Sequence, residues 1–233
     1  MKLLSGDCLE ELKHIENDSI SLFILDLPFG ITHKKWDVEI DLSKLWLLIK
    51  MKMKREGIAL FFGTAKFGYK IIQSNPEWFA YELIWKKSRP TGHLNSKVAP
   101  LRIHETIYIF KNSRGVYNPQ MIMREKPIVQ KRKKKKRDGL YNTYYEIEEK
   151  KYTHKYPISI LEFGSVHKPI HSTEKPVDLL EYLIETYSNE GDVILDPTMG
   201  SGSTGVACKN LNREFIGIEL TEKYFEVAKN RLV

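Results

Sequence analysis

Cysteine is nearly missing from this chain. Only Cys8 and Cys208 occur among 233 residues, too few for a disulfide framework and expected as reduced thiols. Long apolar runs are absent as well, which excludes a membrane-spanning helix of roughly 20 residues. The start, Met1-Lys2-Leu3-Leu4-Ser5-Gly6-Asp7, meets an acidic residue too early for a secretory signal. His33, His93, His154 and His167 are scattered without the spacing of metal ligands, so no metal is expected. The Gly-x-Gly-x-x-Gly of nicotinamide and flavin sites is lacking, and no lysine follows Gly202 directly as a P-loop requires. No internal repeat is present. What remains is an unexported protein of one domain, or one domain with a sizeable insertion, expected in the cytoplasm.

The charge that is present is concentrated. The formal net charge is +7, and Lys131, Arg132, Lys133, Lys134, Lys135, Lys136 and Arg137 form an unbroken basic run. Without these seven, 30 basic residues face 30 acidic ones. A focused cationic segment suits a polyanion that releases condensed counterions on binding. A solvated, mobile loop is the alternative reading of the same run.

Apolar periodicity predicts strands alternating with helices. Asp7–Ile15 has helical spacing, and Ser19–Leu25 reads as a buried strand. Asp41 caps a helix whose face is Leu42, Leu45, Trp46, Ile49 and Met53, with Gly57 ending it before the strand Ile58–Phe62. Ala65–Ser74 is helical. Strands Phe79–Trp85 and Glu105–Phe110 flank a polar loop, Lys86–Arg102. Residues 112–167, rich in Lys, Tyr and Asn, lack a clean period and read as an insertion. A helix after Pro176, strand Asp192–Leu195, a helix to about Leu211, strand Glu214–Ile218 and a helix from Thr221 complete the chain. The expected architecture is α/β, a mostly parallel sheet with helices on both faces.

Two motifs end buried strands. Asp26-Leu27-Pro28-Phe29 follows the first, giving a carboxylate on a proline-stiffened turn with an aromatic beside it. Asp196-Pro197-Thr198-Met199-Gly200-Ser201-Gly202-Ser203-Thr204 follows Val193-Ile194-Leu195 and leads into a helix. Such glycine turns bring backbone close to a nucleotide at the carboxyl ends of parallel strands. Fifteen residues beyond Thr204, Glu219 ends the next strand, where an acidic residue can accept from ribose hydroxyls. His171-Ser172-Thr173-Glu174-Lys175-Pro176 precedes the helix of the second half.

Together these segments resemble the S-adenosylmethionine-dependent amino-methyltransferases that modify an exocyclic base nitrogen in DNA. The tetrad is similar to their Asp-Pro-Pro-Tyr, with Leu27 and Phe29 as departures. The loop is similar to Asp-Pro-Phe-x-Gly-Ser-Gly-Thr-Thr, and the third segment to His-Pro-Thr-x-Lys-Pro with Ser172 departing. The tetrad precedes the loop, the circularly permuted order of the β group, and a Rossmann-like fold is implied.

The resemblance implies residues 1–111 as a catalytic half, 112–167 as a target-recognition insert and 168–233 as the half that binds S-adenosyl-L-methionine. Asp26 and the Leu27 carbonyl would accept the two amine hydrogens, with Pro28 holding the turn and Phe29 stacking on the flipped base. Asp7, Cys8, Asp26, His171, Ser172, Thr173, Lys175, Asp196, Thr198, Gly200, Ser201, Gly202, Ser203, Thr204, Glu219 and Leu220 would hold the cofactor. Asp7 would lie at its adenine and Lys175 at its methionine carboxylate. The basic run would meet phosphates of double-stranded DNA. Asn142, Thr143, Tyr141, Tyr144 and Tyr145 suit groove contacts, although most insert tyrosines are expected to form its small core. His104 and Glu105 are read as polar residues at a strand start.

The expected reaction is methylation of adenine N6 within a short site, of the restriction–modification kind, in a bacterial, phage or viral host cytoplasm, with a homodimer left open. Cytosine N4 methylation, glutamine methylation of a protein and a catalytically inactive DNA-binding protein are the alternatives.

Overall fold

The computed structural model describes residues 1–28, 40–138, 142–170 and 173–233, the side chains at 137, 138 and 142 excepted. Phe29, Tyr141, His171 and Ser172 therefore lie outside the described residues, as do the side chains of Arg137 and Asn142.

In chain order the elements are β1 (Lys2–Ser5), α1 (Cys8–Glu11), β2 (Ile20–Leu25), α2 (Leu42–Lys52), β3 (Met53–Gly63), α3 (Ala65–Ser74), β4 (Phe79–Thr91) and β5 (Arg102–Phe110). They continue with β6 (Ile122–Asp138), β7 (Asn142–Lys155), β8 (Ile160–Glu162), α4 (Val177–Tyr187), β9 (Val193–Asp196), α5 (Ser203–Asn210), β10 (Glu214–Glu219) and α6 (Glu222–Leu232). Eight strands form one sheet in the order β1-β10-β9-β2-β3-β5-β4-β8. Pairing is parallel from β1 across to β3, antiparallel on both sides of β5, and parallel again between β4 and β8. This is the mostly parallel α/β sheet that the periodicity predicts.

A central strand buried on both faces needs cover on both, and β2 is buried along its whole length. Alternation divides its side chains between two layers. Leu22 and Ile24 join Leu60, Phe62, Leu179, Leu183 and Phe215 under α4, α5 and α6. Phe23 and Leu25 join Leu45, Trp46, Ile49, Phe61 and Phe110 under α1, α2 and α3.

Boundaries differ from the sequence expectation in three places. Helix α2 stops at Lys52, and β3 begins at once with Met53, which pairs with Ile20. Gly57 is thus inside β3, at a register shift before Leu22↔Ile58. A Cβ there would stand 2.2 Å from Met53 Cγ, so the bulge admits only glycine without a rearrangement. The first part of the expected polar loop is strand, with β4 running to Thr91 opposite Arg102. The third difference is β8, three residues too short for periodicity to reveal.

Residues Pro119–Ile158 form a separate compact unit. It is an antiparallel ladder of β6 and β7, with Lys131↔Glu149 and Lys135↔Tyr145 among its register pairs. The basic run is therefore strand and not irregular loop. Among the described residues no tyrosine core is formed: Tyr144 and Tyr145 are 50% and 62% exposed. A two-stranded ribbon has no second layer under which to bury them. No described helix is long and apolar enough to cross a membrane.

Close approach of α3 to β5 depends on Gly68, where a Cβ would lie 1.9 Å from Tyr108 Cζ. Tyr108 is buried, and its hydroxyl donates to the Thr64 carbonyl at 3.3 Å. Gly68→Ala should therefore destabilise by about 1–3 kcal/mol of overpacking, offset by up to about 1 kcal/mol of helix propensity. An unchanged denaturation midpoint would mean that the Tyr108 ring has room to move aside.

Candidate functional site

Strands β2, β9 and β10 all end on the same side of the sheet, and their loops enclose a cavity of about 530 Å³. Chain direction reverses its spread here: β9 leads through α5 to β10 on one side, while β2 leads through α2 to β3 on the other. This is the switch point at which open α/β sheets form ligand crevices, and the volume falls within the ordinary range for small-molecule sites.

Of the described residues expected at the site, all but one line this cavity: Asp7, Cys8, Asp26, Leu27, Pro28, Thr173, Lys175, Asp196, Thr198, Gly200, Ser201, Ser203, Thr204, Glu219 and Leu220. Gly202 does not. Its φ is +82°, as a glycine turn requires, but a Cβ there would meet Ala228 Cβ at 3.0 Å. Gly202 permits contact with α6, while Gly200, at φ +53°, turns the backbone at the cavity wall.

Neighbouring strand ends are tied across the sheet. Thr198 Oγ1 donates to the Asp26 carbonyl at 3.2 Å, joining the glycine loop to the tetrad. Leu27 is 3% exposed and packs in the layer containing Phe23 and Leu25. Packing thus restrains the turn at the position where the family has its first proline.

Glu219 is 9% exposed, and each carboxylate oxygen accepts from a backbone amide, Gly200 N at 2.9 Å and Thr221 N at 2.8 Å. Each oxygen keeps a further lone pair for a ligand hydroxyl. Asp7 caps α1, accepting from Leu9 N at 2.9 Å. Burial, helped by the Asp7 charge, pushes the Cys8 thiol up to about 12, so it lines the wall as an unreactive group.

Asp196 shows the electrostatic cost of the site. It accepts from Thr198 N at 3.0 Å and Thr204 Oγ1 at 2.6 Å. Burial nevertheless pushes its carboxyl up to about 7, with Asp26 and Glu219 adding repulsion and the two hydrogen bonds opposing it.

Lys175, expected at a ligand carboxylate, lines the cavity beside Asp26. Its ammonium donates to Asp26 Oδ2, stands 3.7 Å from Glu105 Oε2 and lies over the Phe62 ring at 5.0 Å. Burial pulls this lysine towards neutrality, but the carboxylates of Asp26 and Glu105 outweigh it and hold its pKa above the ordinary value.

Sequence reasoning missed several participants. Glu174 accepts from Ser203 Oγ at 3.0 Å and Arg231 Nη1 at 2.9 Å, and Arg231 also donates to the Ser201 carbonyl at 2.8 Å. This pair braces the glycine loop, with Glu174 lining the cavity and Arg231 standing behind it. Glu174 sits inside a segment already singled out, whereas nothing in the sequence marks Arg231. Glu105 reads as a strand-start residue, and its ion pair with Lys175 becomes visible only when β5 is placed in the sheet.

A family model described as DNA methylase, of the N6 and N4 methyltransferases, matches residues 20–230. The chain belongs to the N6/N4 DNA methylase family. It is an S-adenosylmethionine-dependent DNA methyltransferase of that family. The type II methyltransferase M.HinfI of Haemophilus influenzae is 31% identical to it, over 99% of this chain and 67% of that protein. M.HpaI of Haemophilus parainfluenzae is 28% identical, over 99% and 74%. Among solved structures, the M1.HpyAVI–SAM complex superimposes with a TM-score of 0.65 at 25% identity, covering 99% of both chains. The cytosine-N4-specific PvuII DNA methyltransferase superimposes with a TM-score of 0.69 over 99% of this chain and 86% of that one. At 16% identity it shares the fold with this family member.

A carboxyl raised in the folded state stabilises the protein fully below its unfolded pKa, and that contribution fades as pH rises through the folded pKa. For Asp196 the window runs from the ordinary aspartate value of 3.8 to about 7. Asp196→Asn keeps an acceptor for Thr198 N and removes the titration. Thermal unfolding from pH 4 to 7.5 should show a smaller loss of stability in the variant than in the parent. Parallel curves would show that Asp196 stays ionised throughout.

Proposed function

We propose that this methyltransferase modifies N6 of an adenine rotated out of a short duplex DNA site, with Asp26 and the Leu27 carbonyl as the acceptors for the target amine. The observation that carries this reading is the shared cavity, where the end of β2 and the glycine loop are joined by the Thr198–Asp26 hydrogen bond. An exocyclic amine is a poor nucleophile while its lone pair is delocalised into the ring. Two acceptors drawing on its two hydrogens favour the tetrahedral form of the nitrogen, and a fixed pair does so without reorganisation. Pro28 and the buried Leu27 side chain hold that pair in place. Phe29, outside the described residues, is assigned the base face on sequence grounds alone.

The residues present fit S-adenosylmethionine. Glu219 retains acceptor capacity for ribose hydroxyls, Asp7 and Cys8 border one end of the cavity, and Gly200 and Ser201 leave backbone at its wall. When bound, that cofactor supplies an electrophilic methyl group on a sulfonium. The protein's part is to exclude water, orient the amine and keep Asp26 ionised. We read residues 1–111 as the catalytic half, 168–233 as the cofactor half and 112–167 as the recognition insert. Cytosine N4 is the second reading, favoured by the cytosine-N4-specific PvuII enzyme among proteins of the same fold.

Purified protein incubated with labelled methyl donor and unmethylated duplex DNA should yield label in N6-methyladenine after digestion to nucleosides. Label in N4-methylcytosine would move the assignment to the other base, and none in DNA would overturn the activity. Asp26→Ala should abolish transfer while leaving cofactor affinity within about tenfold, because its carboxylate acts on the amine in the transition state.

The ribbon refines the DNA contact. Lys131, Lys134 and Lys136 are paired across the ladder with Glu149, Glu148 and Glu146. Lys133 and Lys135 stand opposite Ile147 and Tyr145 on the same face as Lys131. We assign the phosphate contacts chiefly to Lys133 and Lys135. Replacing both with Gln should flatten the salt dependence of DNA binding by about two units, at roughly 0.9 per contact, on cognate and scrambled duplexes alike. Gln at Lys134 and Lys136 should do less, and equal losses from the two pairs would remove the distinction.

A further inference from the structure

Four charged side chains alternate in sign beside the tetrad: Asp26 at the end of β2, Lys175 before α4, Glu105 on β5 and Lys87 on β4. Lys175 Nζ contacts Asp26 Oδ2 and lies 3.7 Å from Glu105 Oε2, and Glu105 Oε1 accepts from Lys87 Nζ. Their side chains are 22%, 10%, 24% and 15% exposed, so this is not a surface network. Ion pairs withdrawn from water contribute little net stability compared with apolar packing. Four such groups drawn from four elements are better explained by the group at their end.

Among the described residues, the charged groups facing Asp26 include Lys175 from before α4 and Asp196 from the end of β9. Behind Lys175 stands Glu105 of β5, and behind Asp196 stands Glu219 of β10. Carboxylates crowded in a poorly solvated cavity raise one another's pKa, as Asp196 already shows at about 7. A protonated Asp26 would keep only a neutral, weaker acceptor and would turn one of its oxygens into a donor. An adjacent ammonium prevents this, but alone it would saturate the carboxylate and weaken it as an acceptor. Glu105 supplies the counterweight. Burial would raise its own carboxyl, yet Lys175 and Lys87 outweigh that and hold it below the usual carboxylate range.

We propose that Lys175 and Glu105 are positioning residues that tune Asp26 in opposite directions: Lys175 keeps its carboxylate ionised and turned, while Glu105, anchored by Lys87, draws off part of the ammonium's hold. This rests on reading Asp26 as the acceptor for the target amine, and the test separates the two claims. Carbon-13 NMR of the side-chain carboxyls in the whole chain without cofactor reads the Asp26 titration directly. Lys175→Met should raise its midpoint by about one unit or more, and Glu105→Gln should lower it by roughly half a unit, the signs of losing an opposite and a like charge. In the methyl-transfer assay both variants should lose about tenfold or more in kcat, with the KM for S-adenosylmethionine within about threefold. Lys175→Arg and Glu105→Asp keep the charges and should retain most turnover, which separates charge from folding.

Midpoints that stay put, or move in the same direction, overturn the proposal, as does a loss confined to the cofactor KM. Opposite shifts in a protein that transfers no label to DNA would uphold the tuning and overturn the assigned reaction.

Discussion

Everything at the site depends on β2 and β9 being parallel neighbours. Leu22 pairs with Ile194 and Phe23 with Leu195, so strands some 170 residues apart in sequence end at the same level. The carboxylates that follow, Asp26 and Asp196, are forced into one another's field by this register. Parallel pairing also dictates the remainder of the architecture. Each parallel return needs a crossover, and crossovers place helices on both faces of the sheet. The two hydrophobic layers around β2 follow from the same requirement.

Bringing acidic groups together below the surface is costly unless each is compensated, and the protein compensates them in two ways. Asp196 and Glu219 receive neutral donors: a threonine hydroxyl and an amide for the first, two amides for the second. Neutral donors fix geometry without cancelling charge, and Asp196 accordingly remains a reluctant acid near pH 7. Asp26 receives a full positive charge from Lys175. The division matches the parts we assign. A carboxylate that shapes a loop works in either ionisation state as long as its donors are placed, whereas one that accepts from a substrate amine is the stronger acceptor when charged.

Most of the fold was legible in the sequence because apolar period and strand burial agree. Ser19–Leu25, Ile58–Phe62 and the helix face Leu179, Leu180, Leu183, Ile184 and Tyr187 all lie where their spacing places them. Glycine loop and tetrad were legible because each follows a buried strand within a few residues. What escaped was set by long-range pairing. Lys86–Thr91 is polar and still strand, since Arg102 and His104 pair with it across the sheet. Gly57 reads as a helix stop, yet it serves a bulge that exists only once β3 is registered on β2. Partners such as Lys175–Glu105 and Glu174–Arg231 carry no local signature at all, because sequence spacing does not record which strand ends become neighbours.

The ribbon of β6 and β7 obeys a different economy from the sheet. With no buried layer, its order rests on backbone pairing, cross-strand contacts and ion pairs that are each worth about 0–1 kcal/mol when exposed. Pairing Lys131, Lys134 and Lys136 with glutamates holds the strands in register and also lowers the cationic field along that stretch. A phosphate backbone approaching those lysines would have to compete with the glutamates and would be repelled by them. Lys133 and Lys135 stand directly opposite Ile147 and Tyr145 instead, and among the described residues neither forms an ion pair. A strand pairing of this kind divides one basic run into charges paired with an acid across the ribbon and charges set opposite neutral residues. The division falls between adjacent lysines because side chains in a strand alternate between faces and because the ladder decides which of them meets an acid.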